Sequence, residues 1–154
     1  MTYSRPWNAY RQITAQTASP GQLVLMLYDG ALQFLRKALT GFDLEDPAEA
    51  NQTINNNLIR AQDILCELNN TLNVAEGGQL AQTLRRLYEY MDERLIESNL
   101  RKNPDGILDT LNRLTVLRDA WNEMLGRNNA VPANPQAGPA PAERAFAASL
   151  CACV

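Results

Sequence analysis

Apolar residues recur along most of this chain at steps of three and four, the period of a helix that buries one face. Leu25, Tyr28, Leu32, Leu35 and Leu39 form the first such series, behind the start signal Thr17-Ala18-Ser19-Pro20. Ser19 can accept a hydrogen bond from an early backbone N–H and Pro20 suits the first helical position, so a helix is predicted over about Pro20 to Thr40, with Gly41 as its stop. A second run opens at Pro47 and carries Ile54, Leu58, Ala61, Leu65, Leu68 and Leu72 without a break. Gly77-Gly78 punctuates the chain before a third run with Leu80, Leu84, Leu87, Met91 and Leu95. After the turn Asn103-Pro104-Asp105-Gly106 a fourth run carries Ile107, Leu111, Leu114, Trp121 and Leu125, and Gly126 with Asn128-Asn129 ends it.

Four helices of similar length joined by short connections favour antiparallel neighbours. The predicted fold is therefore all-α, an antiparallel up-down four-helix bundle over residues 19–127, with an N-terminal arm at 1–18 and a disordered Pro/Ala-rich tail at 128–154. The tail is rich in Pro, Ala, Gly and Gln, which bury too little apolar surface to offset chain ordering. Its residues Phe146 to Val154 are apolar, which suits a short docking helix but more readily a frayed terminus.

Composition narrows the function. At 154 residues and 45% hydrophobic the chain can bury a core without disulfide or metal support, and 6% aromatic content with few β-branched residues favours helix over sheet. A net charge of -3 and a pI near 5.0, with basic residues interleaved among acids, leave no stripe for nucleic acid or anionic lipid. No apolar run approaches the ~20 residues of a membrane span, and the first residues lack a signal-peptide core, so a cytoplasmic protein is expected. Histidine is absent, which removes the commonest general base and the commonest transition-metal ligand. Cys66 stands alone in a helical pattern, and Cys151 and Cys153 are too close in sequence for an ordinary bridge. No metal or cofactor is expected. The carboxylates Asp29, Asp92, Glu93 and Asp119 form no acid/base pair and read as solvated helix faces, so an enzyme is not expected.

The first helix is the most informative. Beside its seam runs a second apolar stripe of Leu23, Leu27, Gly30 and Phe34, so that only Asp29, Gln33, Arg36 and Lys37 form a clearly polar strip. Two readings stand side by side: a central helix touching three neighbours, or an open groove for a partner's apolar segment. Left open, three or four such side chains would each forgo roughly 1.5–3 kcal/mol of burial, so a groove needs a cover. Trp7, Tyr10 and Ile13, at three-residue steps upstream of Ser19, belong either to such a cover or to an arm packed permanently on the bundle.

Four blocks of residues, in order, resemble the flagellar secretion chaperones of the FliS type. The similarity begins at Tyr10 and Thr17-Ala18-Ser19-Pro20 and continues through Leu23 and Met26-Leu27-Tyr28-Asp29-Gly30-Ala31. It resumes at Ala61-Gln62-Asp63-Ile64-Leu65 with Leu68-Asn69, at Gly77-Gly78, Leu87-Tyr88-Glu89-Tyr90-Met91 and Leu95-Ile96-Glu97-Ser98-Asn99-Leu100, and at Leu117-Arg118-Asp119-Ala120-Trp121. Together they form a specific signal over about Tyr10 to Leu125.

The resemblance implies a cytoplasmic chaperone around which the C-terminal segment of flagellin wraps, blocking premature polymerisation, and which presents its client to the cytoplasmic domain of the flagellar export gate. Under it, Ile13, Leu23, Leu27 and Phe34 are the expected client-binding residues and Tyr10 the export-gate docking residue. An anti-sigma factor or other flagellar regulators are further partners it admits, with the chain a monomer or weak dimer. The alternative is a homo-oligomeric structural or adaptor bundle in flagellar regulation, since two-fold self-association would also cover the extra stripe. Trp7 and the residues after Gly126 lie outside the resemblance.

Overall fold

The computed structural model describes residues 19–129. The predicted arm, with Trp7, Tyr10 and Ile13, and the predicted tail from residue 130 onward, with Cys151 and Cys153, lie outside the described residues. Within 19–129 the chain forms four helices, α1 (Pro20–Thr40), α2 (Pro47–Thr71), α3 (Val74–Arg101) and α4 (Asp105–Asn129), with a 3-10 turn at Gly41–Asp43 and no strand.

Each helix start has a local cause. Ser19 Oγ accepts from the Gln22 N–H at 3.3 Å while Gln22 Oε1 accepts from the Ser19 N–H at 3.0 Å, a reciprocal cap that satisfies two otherwise orphaned donors before α1. Asp46 caps α2 through both carboxylate oxygens, which accept from the Ala48 and Glu49 N–H groups. The third helix begins earlier than its apolar run predicts. Asn73 Oδ1 accepts from the Glu76 N–H, starting one turn at Val74, and Gly78 at φ 57°, ψ -135° then breaks the helical path, a conformation costly for any residue with a Cβ. The helix ends on Lys102 in the left-handed region at φ 50°.

The helices form a ring in which α1 packs on α2 and α4, and α3 packs on the same two. Cross-helix partners climb one helix as they descend the next: Asn55, Gln62 and Asn69 of α2 meet Asn99, Asp92 and Arg85 of α3. The arrangement is thus the expected antiparallel up-down bundle. Leu35, Leu58, Met91, Leu95 and Leu114 lie at its fully buried centre. Across the diagonal, the Tyr28 and Tyr88 hydroxyls hydrogen-bond inside the core, joining α1 to α3 and giving two large rings a polar partner. Trp121 is buried too, and its indole N–H donates to the Gly21 carbonyl at 2.7 Å, tying the end of α4 to the first turn of α1.

Candidate protein-binding surface

The polar strip of α1 forms as its pattern predicts, with Asp29, Gln33, Arg36 and Lys37 all exposed. The neighbouring stripe does not form an open groove along its length. Leu27 is only 8% exposed and Gly30 is buried within the bundle. Leu23 and Phe34 are half-buried. The Phe34 ring lies under two cations, Lys37 Nζ at 5.8 Å and the Arg60 guanidinium at 5.5 Å from its centroid, so its outer face is partly roofed by α2. Of the residues expected to bind a client, the structure places Leu23, Leu27 and Phe34 along one side of α1, with Leu27 as floor and the other two at the edge. Ile13 and Tyr10, the residue expected to dock on the export gate, lie outside the described residues.

Three of the four carboxylates named above join neighbouring groups, and Glu93 is exposed. Asp29 Oδ1 accepts from Arg118 Nε at 2.8 Å, clamping α1 to α4, and Asp119 joins the same guanidinium at 3.4 Å. The hydrogen bond to Asp29 and its charge, then those of Asp119, push the Arg118 pKa above its ordinary value. Asp92 accepts from Gln62 Nε2 at 2.9 Å. Among the described residues no group of His, Cys, Asp or Glu side chains could hold a metal ion, and no helix is long and apolar enough to cross a membrane.

Accessible apolar surface lies elsewhere. Leu100 is 81% and Val116 69% exposed, and Ile59, Ile96, Leu108 and Tyr90 are each exposed by two-fifths or more, spread over α2, α3 and α4. The periodicity of these helices draws attention to their seams, and these residues fall off-seam. Only their character, large and apolar on otherwise polar faces, marks them in the sequence.

The structure defines an antiparallel four-helix bundle with a filled core and large apolar side chains on its outside, and comparison with known proteins identifies the family. Residues 3–128 match the family described as flagellar protein FliS. The chain is 36% identical over 125 residues to the flagellar secretion chaperone FliS of Bacillus subtilis, a match covering 81% of this chain and 90% of that protein. It is 35% identical to the one of Campylobacter jejuni, over 77% of this chain and 89% of that protein, and 31% identical to the one of Salmonella typhimurium, over 75% and 87%. The chain belongs to the FliS family, whose members are secretion chaperones of flagellar export and not enzymes.

Proposed function

We propose that this chain is a cytosolic export chaperone that holds the disordered C-terminal segment of flagellin, keeps it from polymerising and delivers it to the cytoplasmic domain of the flagellar type III export gate. Membership of the FliS family across residues 3–128 carries this reading. Physical chemistry supports it: a disordered client loses conformational entropy on binding, so its affinity must come from long apolar contact. The exposed Ile, Leu and Val side chains of α2, α3 and α4 offer such contact along the length of the bundle. In this reading Leu23 and Phe34 meet the client at their half-buried edges, Leu27 shapes the floor beneath them, Ile13 completes the site from the arm and Tyr10 docks on the gate.

Titration of an unfolded flagellin C-terminal peptide into the full chain at ~10–50 μM is expected to give binding heat and chemical-shift changes, and their absence sinks the proposal. Phe34→Ala is expected to weaken that binding about tenfold. Tyr10→Ala is expected to spare it while weakening capture of the gate domain, and equal loss of both would overturn this division of labour.

A further inference from the structure

The outward side of the α2–α3 pair carries a regular pattern. Asn99 Nδ2 donates to Asn55 Oδ1 at 2.8 Å, Gln62 Nε2 to Asp92 Oδ1 at 2.9 Å, and Arg85 Nε to Asn69 Oδ1 at 3.4 Å. Along each helix these partners recur every two turns, so the three bonds are rungs on one face. Ile59 comes four residues after Asn55 and three before Gln62; Ile96 comes four after Asp92 and three before Asn99. Both therefore stand between the first two rungs, 46% and 44% exposed, and Leu100 continues the patch one turn beyond Ile96. Cys66, exposed and free, holds the matching place on α2 between the second and third rungs.

An occupant of suitable chemistry exists in the same chain. Residues 130–154 lie beyond the described chain and beyond the stretch matched to the family. Within them, Phe146 to Val154 carries no charged residue, and Phe146, Leu150 and Val154 recur every four positions, the spacing that lines side chains along one helical face. The distances allow it. The described chain leaves α4 at Asn129, at the end of the bundle where α2 finishes and α3 starts, since α4 runs antiparallel to α3. From there the patch lies roughly 20 Å across two helices and roughly 35 Å along them, about 40 Å in a straight line, whereas residues 130–145 span up to about 50 Å when extended. A second copy of the chain fits less well: three side chains expose a few hundred Å², against the ~800 Å² per partner of a stable interface.

We infer that the segment Phe146–Val154 docks on the outer α2–α3 seam of its own chain, with Phe146 and Leu150 against Ile59, Ile96 and Leu100. The inference concerns the chain without its client, in which the tail covers part of the surface offered to flagellin, and it is tested without flagellin, so its failure leaves the proposed function untouched. In the full chain, bis-maleimidoethane is expected to join Cys66 to Cys151 or Cys153 within one molecule, read by mass spectrometry of the digest. The rate is expected to be about tenfold higher than to a thiol placed on the outer face of α4 by Asn112→Cys in a Cys66→Ser background, because docking raises effective concentration above that of a tether alone. Leu100→Asp, at an exposed position that leaves the bundle intact, and separately Phe146→Asp with Leu150→Asp, are each expected to bring the rate down to that control. Equal rates at the two sites, or indifference to both sets of substitutions, would overturn the inference. So would a chain-to-chain product that grows with protein concentration, which would assign the seam to a second copy.

Discussion

Helix α2 has two flanks, and they are held by different forces. Toward α1 it offers Ile54, buried against Gly41 just past the end of α1, and Arg60 closes over the Phe34 ring. Toward α3 its outer flank offers Asn55, Gln62 and Asn69, each hydrogen-bonded to a partner on the neighbouring helix. Apolar burial is strong but non-directional, so the first flank contributes energy with little preference for register. Hydrogen bonds between half-exposed side chains contribute little net energy yet require specific partners, so the second flank fixes register. A slip of one residue between α2 and α3 would break all three rungs together.

The sharpest test of this difference compares a buried side chain with an exposed one. Leu35 of α1 is fully buried, and Leu35→Ala is expected to cost about 2–5 kcal/mol through lost burial and a residual cavity. Ile59→Ala, on the rung-bearing flank and nearly half exposed, is expected to cost less than about 1 kcal/mol. Denaturant melts that gave the two substitutions equal costs would erase the distinction between the flanks.

Next in size is the joint between α3 and α4. A Cβ at Gly106 would lie 2.5 Å from the Arg94 carbonyl oxygen and 3.2 Å from its carbon, and would also strike the Ser98 side chain. The obstacle is backbone, so the helices themselves would have to part. Gly106→Ala is expected to cost about 1–3 kcal/mol despite the gain in helix propensity that alanine brings. A variant as stable as the parent would show that this joint is compliant.

Gly106 also marks the limit of what sequence patterning reveals. In Asn103-Pro104-Asp105-Gly106 it reads as part of a turn, and the turn is there, with Asn103 Oδ1 accepting from the Asp105 N–H at 2.8 Å. The glycine itself serves close helix packing, a reason visible only once α3 lies beside it. The helix bounds of α1 and the start of α2 were legible because caps and prolines act locally, through bonds reaching two or three residues. The stripe on α1 was legible as apolar but ambiguous in meaning, since periodicity tells which residues share a face and not what covers it. Leu27 and Gly30 turned out to be buried within the bundle. Polar rungs were invisible for the complementary reason: Asn55, Gln62 and Asn69 look like ordinary solvated positions until their partners are placed.

The smallest effect tests the rungs themselves. Asn55→Ala and Asn99→Ala each remove one end of a part-buried, 2.8 Å bond, and each is expected to cost about 0.5–1.5 kcal/mol. If the rung acts as a unit, the double substitution costs less than the sum of the singles, because the second removal has no bond left to break. A coupling of about 0.5 kcal/mol or more, measured by chemical melts of the four proteins, supports the register role. Strict additivity would mean that each amide is satisfied as well by water as by its partner, and register would then fall to the apolar seam alone. Asn99 offers an internal check, since its Oδ1 also accepts from Lys102 Nζ. Part of the Asn99→Ala cost should therefore be screened by salt, while the coupling to Asn55, a bond between neutral amides, should not change with ionic strength.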